Sequence, residues 1–271
     1  MLEGRLRRLR ISGEPMYQNR IIGFIDILGF KKMITQKSSF EIEKILEWPK
    51  NYFDIKKYEN NKSLIKQKKN ISQFSDSLII SFQCESEHEV YNTVVDILLI
   101  IIGWINQGII CRGAIVKGDI VHTKEYIYGP GFVKAYEMEK KAKYPRIILE
   151  SDVIEIGKIY HQAQNSIEIE ETYLNSMFNQ DIDNEYYIDY FSAPIAYNRN
   201  SKIDHMQYLS KIKDIIISGL LSNDINIMEK YNWMKHKYNE SLNAMIKYRD
   251  KNFYVLYPDL NKASLQKLVI K

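Results

Sequence analysis

Apolar residues fall along this chain in runs and stripes that predict its elements one after another. From Arg20 to Leu28 the run I-I-G-F-I-D-I-L is nearly continuous and β-branched. It is too short for a buried helix and predicts a strand covered on both faces, ending at Gly29. Ser38-Ser39-Phe40-Glu41 has capping-box spacing ahead of an amphipathic segment, with Pro49 as its expected break. Lys56 to Asn70 reads as a polar, lysine-rich loop, and FSDSLIISF, from Phe74 to Phe82, as a second strand that begins in a turn. A second capping box, Ser86 to Glu89, opens a long helix that Gly108 closes after about Gln107. Ile109 to Lys117 predicts a third strand, Gly118 a turn and Asp119 to His122 the start of a fourth. Gly131 to Ala142 carries helical spacing at Phe132, Ala135, Tyr136 and Met138/Glu139, and Arg146 to Leu149 returns as a strand.

The order of these elements predicts an α+β sandwich, one sheet covered by helices. Beyond residue 150 the pattern changes to helical stripes at Met206, Leu209, Ile212, Ile215 and Ile216, then at Met228, Tyr231, Met234, Tyr238, Leu242 and Met245. Residues 16–150 therefore read as one domain and 151–271 as a mostly helical C-terminal extension. Residues 1–15 carry Arg5, Arg7, Arg8 and Arg10 without a following apolar stretch, so they read as a disordered or non-native leader and not as a secretory signal.

Composition narrows the partners. A net charge of +4, half of it in the leader, is too even for a chain that coats nucleic acid, and no stable nucleic-acid partner is expected. The most apolar stretch, Val94 to Ile105, is interrupted by Asp96 and falls short of the roughly 20 residues a membrane helix needs. Cys84 and Cys111 stand far apart, which signals neither a disulfide framework nor zinc and fits a reducing, cytoplasmic setting.

Candidate chemistry begins at Asp26. A carboxylate between Ile25 and Ile27 in a buried strand needs a cation beside it, unless it lies at the strand's open end. Gly29-Phe30 then turns the chain into Lys31-Lys32, where backbone N–H groups would face the same spot and suit phosphate oxygens. Asp76, in a Ser-Asp-Ser turn, is alone an ordinary turn residue; beside Asp26 it would complete a hard-oxygen site for Mg²⁺ or Mn²⁺. The histidines, His88, His122, His161, His205 and His236, are scattered without metal spacing.

Four motifs, in order, carry a resemblance. FIDILGF resembles the first metal motif of class III nucleotidyl cyclases, and FSDSLIISF is similar to their second. Arg112 to Gly118, RGAIVKG, resembles their arginine-to-glycine strand, and Tyr128-Gly129 through Met138 the entry to the helix behind the site. The match runs from about residue 20 to 150. It implies a ferredoxin-like cyclase sandwich acting as a head-to-tail homodimer on a nucleoside triphosphate. Asp26, Asp76 and the Ile27 carbonyl would hold two Mg²⁺ or Mn²⁺ ions, and Gly29 and Phe30 the triphosphate. Arg146 falls where purine cyclases keep a phosphate-binding lysine.

The departures shape the substrate expectation. Ser72 stands where purine cyclases read the base with Lys, Tyr126 where they place the partner Asp, and Val133 and Glu137 where they keep a transition-state Asn and Arg. The chain thus resembles the compact bacterial pyrimidine cyclases of the Pycsar antiphage systems, which make cyclic UMP or cyclic CMP for a separate effector. In that reading Tyr126 narrows the base pocket and Arg112 or Lys117 replaces a missing cation. A cyclase fold that binds nucleotide or a partner without turnover is the alternative, and other two-metal chemistry, polymerase- or nuclease-like, is a third.

Overall fold

Strand β1 (Gln18–Ile27) lies inside the sheet, paired on both sides, and its near-continuous apolar run is explained by cover on both faces. The computed structural model describes residues 16–59, 69–83, 88–159, 177–192, 204–248 and 260–271. The leader and the serine of the second capping box lie outside them. After β1 come α1 (Phe30–Gln36), α2 (Ser39–Glu59), β2 (Lys69–Phe74), β3 (Ser77–Gln83), α3 (His88–Asn106), β4 (Cys111–His122), β5 (Ile127–Tyr128), α4 (Pro130–Lys141), β6 (Ile147–Leu149) and α5 (Ser151–Ile159). The rest is β7 (Phe178–Gln180), β8 (Tyr186–Ile188), α6 (His205–Leu220), α7 (Ile225–Tyr248) and α8 (Lys262–Leu268).

The sheet runs β2-β3-β1-β4-β6-β8-β7, with β5 paired to β4. Within it neighbours in the order β4-β1-β3-β2 are antiparallel, and the four are connected as βαββαβ, the split arrangement of ferredoxin-like folds. The α+β sandwich expected from the element order is therefore present. Alternation along β1 divides its side chains: Ile21, Ile25 and Ile27 join the large core with α3 and α6, whereas Ile22 and Phe24 join a smaller cluster under α4. Asp26 continues that second row.

Several expectations change. Pro49 does not break α2, which runs through it. The Ile45 carbonyl, deprived of its helical donor by Pro49, accepts from Trp104 Nε1 at 2.9 Å instead, so the helix loses no bonding partner there. Gly118 is not a turn: β4 continues through it to His122. A Cβ at Gly118 would stand 2.7 Å from the Cα of Gly131, so the glycine serves the close approach of α4 to the strand. The polar stretch before Phe74 contains a strand, β2, whose tip is the turn Ser75-Asp76. Asp96, which interrupts the apolar run of α3, is fully buried and is held by Lys69 and by Tyr52 Oη.

Residue 150 is not an edge of the sheet. Strands β7 and β8 extend it beyond β6, and Tyr208, Trp233 and Tyr238 of the C-terminal helices belong to the same core as Ile25 and Trp104. The helical stripes read from sequence are what packs there. None of the described helices is long and apolar enough to cross a membrane.

Candidate functional site

The ferredoxin-like order brings three chain segments to one end of the sheet. Asp26, on the last turn of the pleat before β1 ends, lies opposite Ser77 on one side and Arg112 on the other. Asp76 directly precedes Ser77 in the β2–β3 turn, where Ser75 takes the left-handed φ of 54°. Ile27 N–H donates to the Asp76 carbonyl at 3.0 Å, tying strand end to turn. Because N–H and C=O of one strand residue point to the same side, the Ile27 carbonyl also faces the Asp76 turn. Gly29, at φ 76°, then starts α1 with no side-chain cap on its first-turn N–H groups, and Phe30 is buried. The structure thus brings Asp26, Ile27, Asp76, Gly29, Phe30 and Arg112 to one corner.

The electrostatics of the corner are unbalanced. Asp26 is half-buried, and burial, then Asp76, then Glu139 push its carboxyl up to about 6, against the hydrogen bond from Ser77 Oγ at 3.2 Å and the more distant help of Arg112. Arg112 does not neutralise it, because its Nε and Nη2 both meet Glu139 Oε1 at 2.5 Å. Two carboxylates held together without a paired cation among the described residues, beside a backbone carbonyl, form a hard-oxygen donor set that fits Mg²⁺ or Mn²⁺. Among the described residues no group of three or more His, Cys, Asp or Glu side chains could hold a metal, so any ion here would depend on the two aspartates, backbone oxygen and substrate.

Two expected residues stand elsewhere. Arg146 is fully buried, and its guanidinium meets Asp181 at 2.6 Å and both oxygens of Asp183, while Nε donates to the Ala142 carbonyl at 2.9 Å. It packs against Tyr144 and Trp233, under the C-terminal helices, and has no direction left in which to meet a phosphate. The isolated reading of PRIIL could not foresee this, since the anions come from 35 residues further on. Tyr126 is exposed, in the β4–β5 hairpin at the end of β4 opposite Arg112. One chain does not bring it to the aspartates. Val133 and Glu137 lie exposed on α4.

Sequence reading missed a polar cluster on the same sheet face. His122 Nδ1 is 2.9 Å from Ser81 Oγ and Nε2 is 3.0 Å from Ser72 Oγ, with the buried Arg20 donating to the Ser81 carbonyl at 2.9 Å. Burial, with Arg20 adding to it, pushes the His122 imidazole down to about 4, so it is neutral near pH 7. Continuing β4 through Gly118, instead of starting a new strand at Asp119, would have placed His122 on the same face of that strand as Arg112. Glu139 was legible too: it follows Ala135 by four residues on the apolar stripe of α4, where a carboxylate needs a buried partner.

No protein-family model and no curated protein sequence matches the chain. Among solved structures, the adenylyl cyclase CyaB from P. aeruginosa aligns at 15% identity and a TM-score of 0.39, over 54% of this chain and 84% of that one. The guanylyl cyclase Cya2 aligns at 13% and 0.38, over 52% and 79%. A bacterial light-regulated adenylyl cyclase aligns at 14% and 0.41, over 74% and 100%. At such scores the functional reading rests on the chain's own residues.

Proposed function

We propose that this chain is a metal-dependent nucleotidyl cyclase that converts a pyrimidine nucleoside triphosphate, UTP or CTP, to its 3′,5′-cyclic monophosphate and pyrophosphate. The observation that carries it is the pair Asp26 and Asp76, joined through Ile27 at the end of strand β1 and, among the described residues, left without a paired cation next to the Gly29-Phe30 turn. Asp26, Asp76 and the Ile27 carbonyl would hold the ions, which when bound lower the pKa of the ribose 3′-hydroxyl and offset the charge of the pyrophosphate. The N–H groups that open α1 orient the phosphates. A bond forms between the 3′-oxygen and the α-phosphorus, the bond from that phosphorus to pyrophosphate breaks, and the hydroxyl proton passes to water.

The pyrimidine choice and the use of the product as an antiphage signal rest on the motif resemblance. It is supported by Ser72, a short hydroxyl on β2 four residues before Asp76, in place of a long cation. A head-to-tail homodimer suits the position of Tyr126, which would meet the aspartates of a second copy. The test is incubation of the full chain with each of the four NTPs and Mn²⁺ and identification of the products. A cyclic pyrimidine monophosphate that disappears in Asp26→Asn and Asp76→Asn is expected; no cyclic nucleotide from any NTP refutes the reading.

One observation favours a second reading, nucleotide binding without turnover. Both arginines expected near the triphosphate are engaged with carboxylates of the fold, Arg112 with Glu139 and Arg146 with Asp181 and Asp183. Calorimetric binding of an NTP with no product would establish it.

A further inference from the structure

Resting on the metal site just proposed, a further inference concerns a residue that neither binds the ion nor touches substrate. Asp26 and Arg112 are direct cross-strand partners in the β1–β4 register. Side chains so placed project from the same face with Cβ atoms about 5 Å apart. An aspartate and an arginine at such a position are the natural ion pair of this corner, and if they closed on each other the carboxylate would already hold its cation. They are kept apart by a third residue. Glu139 enters from the last turn of α4, is only 4% exposed, and takes both Nε and Nη2 of Arg112 on Oε1.

The competition has a definite outcome because Glu139 is the more buried of the two carboxylates. Leaving it unpaired would strand a charge in the core beneath α4, which costs several kcal/mol, whereas Asp26 lies at the open end of its strand. The guanidinium therefore goes to Glu139. Among the described residues, the negative charge at Asp26 is then met by Ser77's hydroxyl and is left to a cation from solvent. The charges of Asp76 and Glu139 both outweigh Arg112 at Asp26, as they must if the arginine is turned away from it.

We propose that Glu139 is a positioning residue that holds Arg112 off Asp26 and so keeps the Asp26–Asp76 pair open to a divalent cation. Glu139→Gln keeps the shape of the side chain and removes the charge that holds the arginine. Arg112 then closes on Asp26 and competes with metal. Removing both charges, in Glu139→Gln/Arg112→Gln, abolishes the competitor and restores the balance of charge around the site.

The experiment is titration of the full chain with Mn²⁺ alone, free ion being followed by electron paramagnetic resonance, with the melting temperature of each variant recorded in parallel. Glu139→Gln is expected to bind Mn²⁺ about tenfold more weakly, the scale of one new competing charge pair in a partly buried site. The double variant should return to within about twofold of the wild type, a rescue that additivity of two structural lesions does not produce. The inference is overturned if folded Glu139→Gln binds as the wild type does, or if the double variant stays as weak as the single one. Absence of Mn²⁺ binding by the wild type overturns both this inference and the metal site beneath it, so the two failures are distinguishable.

Discussion

Two clusters of charge in this molecule, at opposite extremes of compensation, show how a fold marks a site. At the end of β1, Asp26, Asp76 and Glu139 stand around one arginine among the described residues, Arg112, and Asp26 is pushed up to about 6 by burial and by its acidic neighbours. Under the C-terminal helices, Asp181 and Asp183 stand around Arg146 and Lys237, with Lys237 Nζ 3.1 Å and Trp233 Nε1 2.7 Å from Asp181. Burial works against the Asp181 carboxylate there too, yet the backbone N–H of Ile182, Trp233 and Lys237 hold it below its ordinary range; the hydrogen bond from Arg146 does the same for Asp183. In the second cluster each carboxylate finds its donor within the fold. In the first, the described residues supply no cation paired to Asp26. Residue type does not separate the two, because both are aspartates with an arginine nearby.

The sharpest break in that comparison is Arg146→Met. It leaves Asp181 buried with one cation fewer and Asp183 without its bidentate partner, and unfolding in urea should show a loss of about 3–5 kcal/mol. The same variant should leave Mn²⁺ affinity at Asp26 unchanged, because its guanidinium takes no part in that corner. A full-strength loss of metal binding in a still-folded Arg146→Met protein would erase the distinction between the clusters.

Acid separates the two regions from the His122 cluster in a second way. The His122 pKa, about 4 when folded, lies below its unfolded value of 6.5, so the unfolded chain binds the extra proton. The stability this confers is complete above 6.5 and is lost as pH falls toward 4, by at most about 3 kcal/mol. Asp26 acts oppositely: its folded pKa of about 6 lies above the unfolded 3.8, so the folded chain gains relative stability as pH falls from 6 to 4. Between those limits the two offset each other. Denaturation midpoints measured across pH 4–7 should therefore fall more steeply in Asp26→Asn than in the wild type, and less steeply in His122→Asn. Parallel curves for all three proteins would contradict the assigned protonation.

Metal supplies a smaller effect of the same kind. Mn²⁺ at about 100 times its dissociation constant should stabilise the chain by ~2.7 kcal/mol, read as a higher melting temperature. Asp76→Asn should remove that rise while leaving the metal-free melting temperature nearly in place, since Asp76 lies in a turn and not in the core. The Arg146 cluster should be indifferent to the ion.

How far these regions were legible in the sequence follows from the range of the interactions that define them. β1, α3, α4 and the C-terminal helices are set by apolar spacing within ten to twenty residues, and a single chain segment carries that signal. Asp26 stood out for the same reason, as one charge in an apolar run. Its pairing with Asp76 came from the resemblance of FIDILGF and FSDSLIISF to two metal motifs, since Asp76 alone reads as a turn residue. Arg146 failed because its environment is made by Asp181, Asp183 and Trp233, which no local pattern links to PRIIL. The helix through Pro49 and the strand through Gly118 failed for a related reason: each is permitted by a distant residue, Trp104 in one case and Gly131 in the other. Local chemistry announces a break, and a tertiary partner repairs it.

The smallest expected effect carries the most direct statement about the site. Asn at position 26 keeps the size of the side chain and an oxygen that accepts from Ser77, but removes a half-buried charge that faces Asp76 and Glu139. Even after allowance for solvent screening, metal-free Asp26→Asn should be more stable than the wild type by about 1 kcal/mol at pH 7.5, measured by urea unfolding in chelator. Adding Mn²⁺ should invert the order, because only the wild type gains from the ion. A residue retained at a cost to the empty fold, and repaid only when a cation is present, is what a binding carboxylate requires and a structural one does not. If Asp26→Asn is instead the less stable protein in chelator, Asp26 holds the strand end together, and the carboxylate pair loses its standing as the site.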